Sequence, residues 1–262
     1  MPSDTGIFGP ASVTWRIHGE PLALVGGLRA LLLQALHPEA MALLYAKSAF
    51  QDDAWSRLQR TAGYVATVTF APTSEAEAAA AHVRGVHQRL GITDPAQLAW
   101  VHACEVDSFL VAARAAGIRL SRTDTDRYVE EQVRAAAMVG VPDELTPRSV
   151  GALGAYFAAM RPALAGTKEA REAARYVFAP PMPVPGRYVL PARLGWTTIS
   201  SLAVGLLPGW ARRMYRLPPA PGAGLATAAG MRALRRAVGR LPVRYREGPL
   251  YRDAKARVAA LS

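Results

Sequence analysis

Histidine is scarce in this chain, and its placement suits a buried metal or cofactor site. Only five histidines occur in 262 residues, and three of them, His82, His87 and His102, fall within 21 positions. His87 and His102 each share a helical face with apolar side chains, where a neutral imidazole can bind a metal. Arg57 and Thr61 are four residues apart, so a helix places both hydrogen-bond donors on one face. The residue types therefore predict ligand histidines together with a pair of donors.

The two histidines of the segment HVRGVHQRL cannot both bind one metal. His82 and His87 are five residues apart, which on an undistorted helix separates their directions by about 140°. His87 shares its face with Val83 and Leu90, whereas His82 lies among alanines and close to Arg84. His87 is therefore the better candidate for a buried ligand.

Several sequence blocks occur in an order that resembles a known family. They are WRIHGEPLALVGGLRALLLQALHP (15–38), RLQRT (57–61), HVRGVHQRL (82–90), WVHAC (100–104), VDSFLVA (106–112) and GVP (140–142). Together they resemble the DUF2236 family, which includes the latex-clearing rubber oxygenases and the MpaB-type oxygenases. The resemblance covers roughly residues 13–160 well and the rest of the chain loosely.

The resemblance implies a cofactor and a function. Family members of the latex-clearing type carry haem b in an all-helical, partly globin-like core, with a proximal histidine at the position of His87. It implies that Arg57 and Thr61 face the distal side, where donors stabilise charge that develops on dioxygen, and that His102 lines or supports the haem site. The expected activity is that of a haem b oxygenase acting with dioxygen on an apolar, unsaturated, terpenoid-like substrate.

Two departures from the family pattern bear on this expectation. Latex-clearing members have a lysine immediately before the motif threonine, where this chain has Arg60, whose guanidinium stays protonated and cannot bind iron. The resemblance still places Arg60 among the residues expected to contact the cofactor. The AGV-x-DHS-like residues that commonly follow the HP dipeptide are replaced by Ala40-Met41-Ala42 and 46–48. We therefore expect a similar pocket whose substrate need not be rubber. A haem-binding sensor or carrier without turnover is the alternative.

Each candidate residue also has a structural interpretation. His102 could be a satisfied core histidine, or Glu105, one helical turn away, could hold its imidazole in a functional orientation. Arg57 could instead form a surface ion pair with Asp53. His37 could interact with a helix C-terminus through its charge. His18 could simply fix the N-terminal segment.

The positive charge is concentrated at the C-terminal end. The formal net charge is +11, and residues 187–262 hold 14 basic residues against two acids, a net charge of +12. Such a segment could contact an anionic membrane, anionic ligand groups or nucleic acid. Compositional bias also explains it, since 28 of the 31 basic residues are arginines. A nucleic acid partner is not expected, because no zinc spacing or RNP-like aromatic motif is present. A cofactor-free basic protein on anionic membranes is a third functional hypothesis.

Other signals are few. No secretory signal or membrane-spanning run is visible, which predicts a cytoplasmic protein. The single cysteine, Cys104, excludes an internal disulfide framework and is interpreted as a small buried apolar residue. Motifs of zinc proteases, P-loop proteins and serine hydrolases are absent from the sequence.

Nearly every segment has helical periodicity, which predicts an all-α fold with many helices in one domain. We expect residues 1–186 to form the helical core with the haem pocket, and 187–262 to form a basic helical part packed on it. The pair Gly26-Gly27 weakens a central buried helix by about 1 kcal/mol per glycine, which suggests close approach by another helix or a cofactor. The run APPMPVPGRYVLP (179–191) is expected not to be helical.

Three helix starts are also predicted from local signals. Asp94-Pro95 provides an N-cap followed by a proline at the first position. Ser121 or Thr123 caps a later helix, and Ser74 with Glu77 fits a capping box.

Overall fold

The described part of the chain is built from helices. The computed structural model describes residues 4–47, 54–181, 185–218 and 221–260, and within these ranges it contains no strand. The α-helices are α1 (Val13–His18), α2 (Ala23–Gln34), α3 (Pro38–Lys47), α4 (Ala54–Phe70), α5 (Thr73–Leu90), α6 (Pro95–Ala115), α7 (Arg122–Met138), α8 (Val150–Met160), α9 (Lys168–Phe178), α10 (Gly186–Gly205), α11 (Gly209–Met214), α12 (Ala223–Gly239), α13 (Val243–Arg246) and α14 (Pro249–Ala259). Short 3-10 turns occupy Asp143–Leu145 and Arg161–Ala163. The fold is a single all-α domain, as predicted.

Helices α2 and α6 form the centre of the core. A Cβ placed on Gly26 would lie 3.0 Å from the Phe109 ring and 3.1 Å from the carbonyl oxygen of Ser108, so glycine permits α6 to approach closely. This confirms the close approach by another helix that the glycine pair suggested. Gly27 has no neighbouring atom within 4 Å of such a Cβ, so only one of the two glycines is needed for packing.

A buried arginine joins the core to the C-terminal part. Arg29 is only 3% exposed. Its guanidinium lies 2.8 Å from the Asp107 carboxylate and donates to the Ser108 hydroxyl at 2.7 Å and the Leu206 carbonyl at 2.9 Å. These bonds offset the cost of removing the charge from water. Residues beyond 186 therefore pack on the core, although the predicted division at residues 186 and 187 stays a prediction.

The N-terminal helix is held by side chains from two distant helices. His18 hydrogen-bonds Thr69 Oγ1 at 2.9 Å through Nδ1 and the Tyr128 hydroxyl at 3.0 Å through Nε2. Burial lowers the pKa of His18 to about 3, so the ring is neutral. The Glu131 carboxylate accepts from two backbone N–H groups at the start of α1, at 3.2 and 2.9 Å. His18 thus fixes the N-terminal segment, as its structural interpretation predicted.

An aromatic cluster closes the same end of the molecule. Trp15, Phe70 and Tyr251 meet with ring centroids 4.8 to 6.1 Å apart, which connects α1, the end of α4 and α14. Arg257 of α14 donates to the Phe70 carbonyl at 2.6 Å. The C-terminal helix is therefore part of the packing around α4.

Local signals predicted two helix starts correctly and one wrongly. Asp94 caps α6 by accepting from the Ala96 backbone, and Ser121 forms a capping box at the start of α7. The Ser74–Glu77 capping box does not form, because α5 already begins at Thr73. The Asp4 carboxylate accepts from the Thr73 backbone N–H at 2.7 Å instead.

The prediction that the proline-rich run is not helical was also partly wrong. Part of it, 182–184, lies outside the described residues, but α10 begins at Gly186 and contains Pro191. Proline in the second turn removes one hydrogen bond to the Arg187 carbonyl. This loss is tolerated because Arg187 and Pro191 are both exposed, so water can solvate that carbonyl. No helix in the described ranges is long and apolar enough to cross a membrane.

Candidate active site

An apolar cavity of about 730 Å³ lies between the α4–α5 hairpin and the helices α2, α3, α6, α7 and α9. Its volume falls within the range of roughly 300–1,000 Å³ that is usual for small-molecule sites. Apolar side chains, chiefly leucine, valine and alanine, form most of its wall, with polar groups among them. The cavity can therefore hold a large apolar ligand or cofactor and orient it by a small number of polar contacts.

All five predicted site residues line this cavity. They are Arg57, Arg60 and Thr61 on α4, His87 on α5 and His102 on α6. The fold therefore brings the three sequence blocks RLQRT, HVRGVHQRL and WVHAC to one place, although their individual roles stay predictions.

Hairpin geometry explains why α4 and α5 present these residues at one level. Arg57 is 13 residues before the end of α4, and His87 is 14 residues after the start of α5. At about 1.5 Å per residue, both lie roughly 20 Å from the turn that joins the two helices. Because packed helix axes are about 8–10 Å apart, side chains at one level can face the same ligand.

His87 and His102 have buried ring nitrogens with unused bonding capacity. His87 Nδ1 and His102 Nε2 have no hydrogen-bond partner among the described residues. Burial lowers the pKa of His87, and it lowers the pKa of His102 to about 4, so both imidazoles are neutral at physiological pH. A neutral imidazole offers a lone pair, which is what a metal ligand requires. Buried polar atoms without partners are rare in folded proteins, and these two point to an absent ligand.

No cluster in the described ranges brings together three or more histidine, cysteine, aspartate or glutamate side chains able to hold a bare metal ion. Asp53, the alternative partner of Arg57, lies outside the described residues.

Comparison with known families agrees with this geometry. The family described as "ER-bound oxygenase mpaB/B'/Rubber oxygenase, catalytic domain" matches residues 15–239, which run from α1 to the end of α12. The chain belongs to the mpaB/rubber oxygenase catalytic-domain family. The family's name describes an oxygenase, and apart from Phe8 every residue that lines the cavity lies within the matched range. Searches of curated proteins and of solved structures gave no match for this chain.

One contact proposed for this mpaB/rubber oxygenase-family site was wrong. Glu105 does not hold the imidazole of His102, since the Glu105 carboxyl hydrogen-bonds the Gln34 side chain and His102 contacts the Gln132 backbone. Packing of α2 and α7 against α6 supplies both partners, and neither is visible from the spacing within α6.

Glu105 is a titratable group of the cavity whose acid–base behaviour the sequence did not predict. Burial raises its pKa to about 7, and the hydrogen bond from Gln34 opposes that shift only in part. The site therefore contains a carboxyl group that is half-protonated near neutral pH. Tyr64 also lines the cavity, and burial together with Glu105 raises its pKa to about 12. Tyr64 shares a helical face with Arg57 and Thr61, so the spacing on α4 could have identified it.

The other two histidines of the oxygenase-family blocks have different surroundings. His82 lines the cavity as well, but its side chain is exposed. His37 is buried, and its Nδ1 accepts from the Ala40 backbone N–H at 3.3 Å in the first turn of α3. His37 thus caps the following helix α3, and the charge interaction with the C-terminus of α2 stays a prediction.

Proposed function

We propose that this chain is a haem b-dependent oxygenase that adds dioxygen across a carbon–carbon double bond of an apolar, terpenoid-like substrate. One observation carries the proposal. The motif residues His87, Arg57 and Thr61 line a single apolar cavity, and one ring nitrogen of His87 is buried there with no hydrogen-bond partner among the described residues. Membership of an oxygenase family supports the reaction class.

The residues present fit haem b. One protein histidine is enough to hold this cofactor, because the porphyrin supplies four nitrogen ligands of its own. His87 is neutral and half-buried in the cavity wall, and its apolar surroundings suit a flat, largely apolar ring. We assign His87 as the residue that would bind the haem iron and His102 as a group that would line or support the same site. When bound, haem b supplies the iron centre that activates dioxygen.

The remaining chemistry belongs to side chains of the chain itself. Arg57 and Thr61 are hydrogen-bond donors one turn apart on α4, and we assign them to stabilise negative charge that develops on oxygen. The apolar wall excludes water and favours a hydrocarbon substrate. Glu105 can hold or release a proton near neutral pH within this wall, so the site need not carry a buried negative charge.

A haem-binding sensor or carrier without turnover is the second candidate. Arg60 favours it, since this guanidinium lines the cavity where latex-clearing relatives have a lysine, and it stays protonated. The two candidates share the cofactor and differ only in whether a substrate is consumed.

Absorption spectroscopy tests the cofactor. Protein purified from a haem-replete host should show a Soret band, and His87→Ala should abolish or greatly weaken it while the helical circular dichroism is unchanged. His82→Ala is the matched control, because it removes a histidine of the same helix and cavity and should retain haem. A colourless wild-type protein that takes up no added hemin would disprove the haem assignment.

Product analysis then separates the two candidates. The oxygenase should consume dioxygen and a compound from a panel of unsaturated terpenoids and polyisoprenoids. A sensor or carrier would bind a gas, change its spectrum and leave the whole panel unchanged.

A further inference from the structure

A second cavity, of about 610 Å³, lies outside the candidate active site. Its wall is formed by the turn between α1 and α2, the end of α6, the last two turns of α12, and the segment from α13 to α14. Four arginines and two glutamates line it, namely Arg232, Arg235, Arg236, Arg246, Glu20 and Glu247. The side chains therefore give this cavity a net positive charge of two.

Both glutamates are already paired. Glu20 accepts two hydrogen bonds from Arg235, at 2.9 Å from Nε and 2.6 Å from Nη2. Glu247 lies 2.7 Å from Nζ of Lys255. The guanidinium groups of the other three arginines therefore have no carboxylate partner among the described residues.

The two-point bond to Glu20 also fixes the orientation of Arg235. These two hydrogen bonds use one edge of the planar guanidinium and leave its Nη1 donors available. The position of the Arg235 guanidinium is therefore fixed.

The other arginines are placed around the same space. Arg232 and Arg236 are one turn apart, so they share a face of α12. The stem of Arg232 passes over the turn after α6, where a Cβ on Gly117 would lie 3.5 Å from its Cγ. Arg246 belongs to α13 and donates to the Gly239 carbonyl at 3.2 Å. Two helices, α12 and α13, thus place cations around one cavity.

We propose that this cavity binds a phosphoryl dianion, either on a soluble phosphate ester or on a phospholipid head group. Guanidinium groups match phosphate oxygens by two parallel hydrogen bonds, and a dianion balances the two excess charges. The proposal does not rest on haem or on oxygenase activity, since the cavity shares no lining residue with the candidate active site.

Two features are compatible with the two sources of the phosphoryl group, one with each. The cavity is deep enough to enclose a small soluble ester. Beside it, the segment from the end of α12 through α13 exposes Leu241, Val243 and Tyr245, which are 46%, 45% and 66% exposed and could contact lipid chains. The experiment therefore needs one arm for each source.

Calorimetric titration with inorganic phosphate, at constant ionic strength set by chloride, tests the site. The double variant Arg232→Gln/Arg236→Gln should weaken phosphate binding by about tenfold or more, the usual effect of losing one or two charged hydrogen bonds. Arg240→Gln/Arg244→Gln is the matched control. It removes the same charge from exposed positions of the same basic segment that do not line the cavity, and it should change the affinity less than about twofold. Unchanged thermal unfolding of both variants establishes that they fold.

A second arm identifies the source. Vesicles of phosphatidylcholine with and without phosphatidic acid are compared with glycerol 3-phosphate in solution. A head-group site predicts that the cavity variant loses phosphatidic acid-dependent vesicle binding and the control keeps it. A soluble-ester site predicts tighter binding of glycerol 3-phosphate than of inorganic phosphate, with equal vesicle binding by both variants. Wild-type protein that binds none of the probes at millimolar concentration, or equal loss in both variants, overturns the proposal.

Discussion

Replacing Glu105 with glutamine should make the stability of the protein less dependent on pH. The ordinary pKa of a glutamate is 4.5, and burial raises that of Glu105 to about 7. In the folded protein the carboxyl therefore stays protonated over a pH range in which the unfolded chain releases the proton. Below pH 4.5 this carboxyl does not change the free energy of unfolding. As the pH rises it lowers the free energy of unfolding increasingly, and the effect levels off above pH 7.

The size of this cost follows from the two pKa values. A shift of one pKa unit corresponds to about 1.4 kcal/mol, so Glu105 should lower the free energy of unfolding by up to about 3 kcal/mol at pH 8. Because one side of the carboxyl faces the cavity, water there reduces the cost below this upper value. Glutamine has the same shape, can still hydrogen-bond Gln34 and carries no charge at any pH.

Urea denaturation at pH 4.5 and pH 8 measures the effect. Relative to wild type, Glu105→Gln should be more stable at pH 8 by about 2–3 kcal/mol and nearly unchanged at pH 4.5. Glu77→Gln is the matched control, since Glu77 is an exposed glutamate of α5 and should show no such difference. An equal effect of Glu105→Gln at both pH values would refute the reasoning, because a packing change does not depend on proton binding.

Three further outcomes are expected. Arg57→Ala and Thr61→Ala should each retain haem and lose about 10²–10³ in turnover, as removal of a charge-stabilising donor usually does; unchanged oxygen reactivity in stopped-flow measurements would return both residues to a structural role. Gly26→Ala should destabilise the protein by about 1–3 kcal/mol in thermal unfolding, because its Cβ meets α6, whereas Gly27→Ala, with open space, should stabilise it by up to about 1 kcal/mol; loss of stability in both would argue against the close packing. If residues 187–262 contact an anionic membrane, sedimentation with anionic vesicles should fall steeply as salt rises, because screening acts within about 8 Å at physiological ionic strength; equal binding to neutral vesicles, or none to either, would leave compositional bias as the sufficient explanation.

Much of the fold could be predicted because its signals are local. Asp94 and Ser121 mark helix starts by bonds to backbone groups two or three residues away, and such signals survive whatever the rest of the chain does. Gly26 also indicated close packing, because a glycine lowers the stability of a helix and a buried one needs a contact that compensates for this loss.

Other features depend on partners that are distant in sequence. The start of α5 is capped by Asp4, 69 residues away, and no spacing rule connects the two. The same reason explains the error about Glu105, whose bond to Gln34 depends on how α2 and α6 meet.

The candidate site was predicted as a set rather than in detail. Ordered motifs located Arg57, Thr61, His87 and His102, and the fold brings all of them to one cavity. The periodicity of α4 could also have added Tyr64. The haem, the individual roles and the substrate stay predictions, because they depend on cavity shape and on a ligand that sequence spacing does not specify.

The aromatic cluster of Trp15, Phe70 and Tyr251 affects where the boundaries of a stable fragment of this domain must lie. The part recognisable as the family ends at residue 239, whereas Tyr251 and Arg257 of α14 cover the end of α4, the helix that carries Arg57 and Thr61. A fragment cut at the family boundaries would leave Trp15 and Phe70 facing water and would remove the Asp4 cap of α5. Chimeras or expression fragments of this protein should therefore keep α14 and residues 4–14. The segment that the family defines is shorter than the segment that packs as one stable domain.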